Sequence, residues 1–366
     1  MKKNTFAKII SLALATICVL SLISCSKGLF DGTESTEDEL RVIGTIGNYE
    51  VRYDELYYLV MTCKEIMAEK YGESIWKSEE SAATYASELN DMVMERITAN
   101  YAVLILCEEY GFSSPLENKD IINSVYNETE SILYSFAIQD GISVTLDESV
   151  SGKLTYKYEK GGRDKAMATY KEALRYSFLN ERVMRLTLAT EFAFTQLSEI
   201  LTGEKNEIIY SSSDIEAFML SDEFICTRHI FVEGLSDDSR AVAEEVLGKL
   251  NSGTPIENLI AGKYNDDVAA PSEGYYFTKG EMDEAYEKAS FELKVGQISG
   301  IVEAENGFFI IQRMEKSTNY MFSNISTFTQ QIIYAQVNTK VANKQSELSL
   351  SLNDFGKSLE FYKIGA

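Results

Sequence analysis

Phe224-Ile225-Cys226-Thr227-Arg228-His229-Ile230-Phe231-Val232 is a run of β-branched and aromatic residues, and the texture of the chain changes at it. It predicts a strand whose successive side chains point to opposite faces. Downstream, Ala241 to Leu250 reads as a helix with Val242, Val246 and Leu250 on one stripe, closed by Asn251-Ser252-Gly253. A second helix is expected from Ile256 to Tyr264. Gly300-Ile301-Val302 and Phe308-Phe309-Ile310-Ile311-Gln312 then flank Asn306-Gly307, a dipeptide suited to a tight hairpin turn. Strand, helices and hairpin together describe a small α+β domain over 223–316.

Upstream the spacing is helical. After a short strand and turn at Val42 to Val51, the apolar residues Leu56, Leu59/Val60, Cys63 and Met67 recur every three to four positions, and Gly72 is a plausible stop. A longer helix is expected from Ser78 to Gly111, with Tyr85, Leu89, Val93, Ile97 and Leu104 on one face. Further helical stretches follow near 118–138, 164–200 and 213–220. Lys160-Gly161-Gly162-Arg163 is the nearest approach to a phosphate-binding loop, but no strand precedes it and it reads as a solvated turn. Helical character returns from Thr318, notably over Phe328 to Leu348, so a last helix is expected to pack back on the first domain. The predicted fold class is α+β, with a mainly helical domain at 40–222, an inserted α+β domain at 223–316 and a returning C-terminal segment at 317–366.

The chain of 366 residues carries 57 Asp+Glu against 34 Lys+Arg, a net charge of −23. With 45% hydrophobic residues it has ordinary globular composition, and its length suits two or three domains. So acidic a chain opposes a sequence-independent grip on phosphate backbones or on an anionic membrane, which needs clustered Lys and Arg; no nucleic-acid partner is expected. The single histidine, His229, excludes a histidine-rich metal cage and any two-histidine catalytic device within one chain. Cysteines 63, 107 and 226 are an odd set without CxxC spacing, which indicates neither a disulfide framework nor a zinc site. No metal and no cofactor are expected.

Lys2, Lys3 and Lys8 precede an uncharged run from Ile9 to Ile23, too short for a comfortable membrane span, which is the layout of a signal peptide. The run ends in Leu22-Ile23-Ser24-Cys25-Ser26, which resembles the lipobox of bacterial lipoproteins. That resemblance implies cleavage after residue 24, diacylglycerol on the Cys25 thiol and usually an added N-acyl chain. Two or more chains bury enough methylenes for stable anchoring. The expected location is the extracytoplasmic face of a bacterial membrane. Residues 25–39, rich in Gly, Ser, Thr and acids, are expected to be a flexible tether.

At this point the segment 223–316 resembles a parvulin-type peptidyl-prolyl isomerase, through CTRHIFVEG, LGKLNSGTPIENLIAGKYNDD, FTKGEMDEAYEKASFELKVGQISGIV and ENGFFIIQRMEK in the family's order and spacing. The flanking chain, with VIGTIGNYEVRYDELYYLV near its start, is similar in pattern to the foldase lipoproteins of the SurA/PrsA type. The resemblance implies a slot for a proline ring made by Met282, Tyr286 and Phe291, a polar floor of His229 and Asp267, and Asn306 and Phe309 beside it. Phe309 stands where active parvulins commonly carry a second histidine, Asn306 where Ser or Thr is frequent, and Tyr286 where Phe is more usual. The family's Gly-Gly-Asp-Leu-Gly loop is altered to Ser272-Glu273-Gly274-Tyr275-Tyr276.

The chemistry in question needs no nucleophile. An X-Pro bond interconverts over a barrier of about 18–20 kcal/mol because the amide must lose conjugation as it twists. Catalysis asks for an apolar slot, desolvation of the amide and hydrogen-bonding groups that favour the twisted form. A Cys-His nucleophile is excluded differently: Cys226 and His229, three residues apart on a strand, point to opposite faces. Two functions follow from the sequence. One is a membrane-anchored foldase that isomerises X-Pro bonds in newly translocated, unfolded proteins. The other is a holdase whose isomerase-like domain binds proline-containing segments without turning them over. A solute-binding lipoprotein would need repeated βαβ units, which the helical front half lacks. The sequence leaves open whether the body pairs as a homodimer.

Overall fold

A computed structural model describes residues 29–30, 33–150, 153–203, 207–209, 211–304 and 306–365. The expected signal peptide and Cys25 lie outside these residues. The chain divides into two compact units: Ile200–Lys340 is continuous, and the other takes the chain up to Glu199 together with Val341–Ala366.

The discontinuous unit opens with the antiparallel pair β1 (Val42–Ile46) and β2 (Tyr49–Arg52), turned at Gly47 in the left-handed region (φ 56°). The late strand Ser351–Leu352 pairs with the free side of β1. There the backbones approach so closely that a β-carbon at Gly44 would run into the Ser351 carbonyl oxygen. Helix α1 (Tyr53–Tyr71) buries Leu56, Leu59, Val60, Cys63 and Met67, the stripe expected from their spacing. Helix α2 (Ala86–Glu109) begins later than expected: Ser78 caps a short helix, Glu79–Thr84, and the chain breaks at Tyr85. Helix α3 (Lys119–Gln139) starts where the Asn118 side chain accepts from Asp120 N at 2.9 Å.

A hairpin of β3 (Val144–Val150) and β4 (Lys153–Tyr158) follows, in the stretch left unassigned between the helices expected near 118–138 and 164–200. The expected helix over 164–200 is two, α4 (Gly162–Tyr176) and α5 (Glu181–Thr202), parted where Phe178 adopts φ 58°. Two residues within the expected 25–39 tether touch the folded body. Leu29 is buried with its carbonyl accepting from Arg185 Nη1 at 3.1 Å, and Phe30 lies under the Arg182 guanidinium. The apolar pair gives that end of the segment something to bury. At the other end of the chain, Lys64 Nζ donates to the carbonyls of Tyr362 (2.8 Å) and Ile364 (2.6 Å) and fastens the C-terminal segment to α1.

The continuous unit is built on one antiparallel sheet. Helix α6 (Ser212–Leu220) leads into β5 (Phe224–Glu233), the central strand; α7 (Asp237–Asn251) and α8 (Ile256–Ile260) follow, then β6 (Tyr275–Thr278), α9 (Glu284–Glu292), β7 (Val302–Ala304) and β8 (Gly307–Met314). The strand order is β6-β5-β8-β7. Helix α7 starts four residues before the expected Ala241 because Ser236 caps it, accepting from Ser239 N at 3.1 Å. Helix α8 stops at Ile260, short of the expected Tyr264. The last hairpin closes with Ala304 opposite Gly307, one residue earlier than an Asn306-Gly307 turn. Gly307 is needed there, since a β-carbon would run into the Val232 carbonyl oxygen.

Alternation along β5 sorts its neighbours. Ile230 packs with Val246, Ile256, Leu259 and Ile310 under α7 and α8. Phe224 and Cys226 pack with Ile215 and Met219 of α6 and with Phe328 and Ile332 of α10 (Ile325–Ser346). Those last contacts carry the compact unit beyond the 223–316 stretch read from sequence, and the division at Lys340 falls inside α10. The opposite face of β5, with Ile225, packs with Phe277, Tyr286 and Ile311 beneath α9.

Candidate active site

The α9 face of β5 carries Thr227 and His229, two residues apart as the strand period requires. His229 is buried, and both ring nitrogens are engaged: Nδ1 lies 2.9 Å from Tyr286 Oη and Nε2 3.2 Å from Asp267 Oδ2. Tyr286 Oη also lies 2.8 Å from Thr227 Oγ1. Asp267 is presented by a loop sewn to β5. Asn265 Oδ1 accepts from Phe231 N at 2.9 Å, its Nδ2 donates to the Asp267 carbonyl at 3.0 Å, and Asp266 N donates to the Phe231 carbonyl at 2.8 Å. Asp266 is exposed and also accepts from Glu233 N at 2.8 Å.

Aromatic rings close around the imidazole. Tyr275 stacks on it at 4.8 Å with 9° between planes, and its hydroxyl donates to Asp267 Oδ2. Phe309 meets the ring edge-on at 5.0 Å and Tyr286 edge-on at 5.4 Å; Phe309 also stacks on Phe231 at 4.6 Å. Met282, Phe291 and Phe309 are partly exposed members of the cluster around Phe277, Tyr286 and Ile311. A proline-sized apolar group would meet side chains of this kind beside His229.

Of the residues named from sequence, the structure gathers His229, Asp267, Tyr286 and Phe309 in direct contact, with Met282 and Phe291 in the adjoining apolar cluster. Tyr286 differs from its expected place in the slot: it is 3% exposed, and its hydroxyl belongs to the polar floor. A buried phenol needs a hydrogen-bond partner, and Thr227 and His229 supply one. Asn306 stands apart from these contacts, at the turn before β8, its carbonyl accepting from Gly234 N at 2.8 Å. Thr227 and Tyr275 were not singled out by sequence. Thr227 was within reach of the period-two rule from His229; Tyr275 becomes visible only through the register, which pairs it with Thr227.

The electrostatics favour a fixed charge at the mouth. The hydrogen bond from His229, reinforced by that from Tyr275, holds the Asp267 carboxyl down to about 2 against the opposing effect of burial. Burial pushes the Tyr286 and Tyr275 hydroxyls up, so both remain protonated donors. Burial also pushes the Cys226 thiol up to about 11, and its partner is the Glu273 carbonyl on the far face. Cys226 therefore supplies no thiolate to His229. Among the described residues no group of three or more His, Cys, Asp or Glu side chains gathers as a metal site would require.

Residues 225–317 match the family described as PPIC-type PPIASE domain. This stretch is similar to parvulin-type isomerase domains. The chain is 33% identical over 129 residues to the foldase protein PrsA of Bacillus subtilis, a match covering 33% of this chain and 42% of that protein. It is 39% identical over 79 residues to the peptidyl-prolyl cis-trans isomerase pin1 of Schizosaccharomyces pombe, covering 21% of this chain and 45% of that one. A longer likeness, 24% identity over 284 residues, joins it to the foldase protein PrsA of Geobacillus kaustophilus and covers 73% of this chain and 94% of the relative. With the Bacillus subtilis and fission-yeast relatives the match spans less than half of the relative's length.

Proposed function

We propose that the protein is an extracytoplasmic foldase, held to the membrane by lipid on Cys25, whose parvulin domain isomerises X-Pro bonds in unfolded, newly translocated proteins while the helical unit holds the client. The observation that carries the reading is the tethered imidazole: His229 has both nitrogens engaged and lies beside the partly exposed rings of Phe309 and Phe291's cluster. The apolar side chains Met282, Phe291 and Phe309 receive the proline ring and strip water from the amide. The fixed dipoles of His229, Asp267 and Tyr275 then favour the twisted amide over the planar one, with no proton transferred and no bond broken. Uncatalysed, such bonds turn over in tens of seconds or longer, slow enough to limit folding.

The test is the cis-to-trans rate of a short X-Pro peptide with the full chain and with His229→Ala. Acceleration that falls in the variant is expected. One observation favours a second reading: Phe309 offers a ring edge to His229 where the family commonly has a hydrogen-bonding histidine. A folded protein that binds the peptide without accelerating it would establish this holdase reading instead. The anchor is tested separately, since Cys25→Ala would release the protein from membranes or leave an unprocessed precursor.

A further inference from the structure

We propose that Tyr275 is a positioning residue of the isomerase site, fixing the tautomer and orientation of His229 through Asp267; this rests on the reading of the site as an isomerase. Tyr275 opens β6 and is the strand partner of Thr227, which makes it the diagonal neighbour of His229 on the same face. It reaches this place from Gly274, whose φ of 85° and tight approach to the Thr227 carbonyl oxygen suit no side chain. From there it does two things at once. Its ring lies nearly parallel to the imidazole, and its hydroxyl donates to the same oxygen, Asp267 Oδ2, that faces His229 Nε2.

The hydrogen-bond directions then follow from one end. An ionised carboxylate only accepts, and one of its oxygens has two lone pairs, so it takes both Tyr275 Oη–H and His229 Nε2–H. In the neutral imidazole Nδ1 is left as an acceptor, Tyr286 donates to it, and Thr227 donates to Tyr286. Three hydroxyls and one imidazole thus point a single way. A tyrosine needed only for packing would be replaced without effect by phenylalanine, which keeps the stack and deletes the donor.

His229 is the chain's single histidine, so its ring nitrogen resonances need no assignment. The experiment records those resonances and the X-Pro isomerisation kinetics for the full chain and for Tyr275→Phe. Wild type should hold one tautomer, protonated on Nε2. Tyr275→Phe, which frees the Asp267 carboxylate to turn off Nε2, should mix the tautomers where the ring is neutral and lower kcat by about three- to ten-fold with KM little changed, the scale of one lost hydrogen bond. An unmixed tautomer with unchanged kcat in Tyr275→Phe would overturn the proposal. An inactive wild type would overturn the isomerase reading, and the imidazole resonances, which need no turnover, would still decide whether Tyr275 holds His229.

Discussion

Two polar networks, one in each unit, are made of similar parts and end differently. In the helical unit, Arg182 meets Asp54 through two bonds of 2.7 Å and also contacts Glu55; Tyr101 donates to Glu55, and Asn180 Nδ2 donates to Asp54 at 3.0 Å. Every charge there is buried. In the continuous unit, Thr227, Tyr286 and His229 are equally buried, but the series ends on Asp267, which is partly open to solvent. A closed network can only fix the fold, because everything it could bind is already bound. One that ends at the surface beside partly exposed aromatic rings can act on something arriving from outside.

Breaking the closed network should have the largest effect. Arg182→Ala leaves Asp54 and Glu55 buried side by side without their cation, and removal of one partner from a buried ion group costs about 3–5 kcal/mol. Denaturant unfolding of the helical unit measures this, and the kcat of the folded variant on a short X-Pro peptide should match wild type. A cost below ~1 kcal/mol would mean that water reaches this network, and the contrast between the two would fail.

The two tyrosines sharpen the contrast. Tyr101→Phe removes a donor from a buried carboxylate, where a hydrogen bond is worth about 1.5–3 kcal/mol, and should leave isomerisation unchanged. Tyr286→Phe removes a neutral bond worth about 1 kcal/mol and should lower kcat as well, since Nδ1 of His229 loses its partner. Parallel losses of stability and equal kcat in both variants would place Tyr286 in the packing alone.

The open network was more legible in the sequence than the closed one. His229 and Asp267 stood out because the chain has one histidine and because the surrounding motifs carry positional meaning. Asp54, Glu55 and Arg182 gave no such signal: two adjacent acids in the first turn of a helix read as ordinary dipole-complementing residues, and their arginine lies 127 and 128 positions away. The β3–β4 hairpin was missed for a related reason. Its apolar alternation is weak, since Glu148 interrupts Val144, Leu146 and Val150, and Leu154, Tyr156 and Tyr158 cover only five residues; the backbone of Leu154 is instead held by Asn127 Oδ1, which accepts from its N at 2.8 Å. Tyr275 was quoted as part of an altered loop, yet its role depends on a strand register that no local pattern reveals.

The smallest expected effect concerns protons. Hydrogen bonds from His229 and Tyr275 lower the folded-state carboxyl of Asp267 to about 2 from its ordinary 3.8. A depressed carboxyl contributes stability that is fully present above the unfolded value and is lost as pH falls through the folded one. Wild type should therefore keep a constant advantage over Asp267→Asn above about pH 5, and the advantage should shrink between pH 4 and 2, as read from thermal midpoints of the continuous unit across that range. Because Asp267 is partly solvated, the difference is modest next to that of Arg182→Ala. Stability curves that run parallel down to pH 2 would mean that neither His229 nor Tyr275 favours the charged carboxylate. The open end of the network would then be held by packing, as the closed one is held by charge.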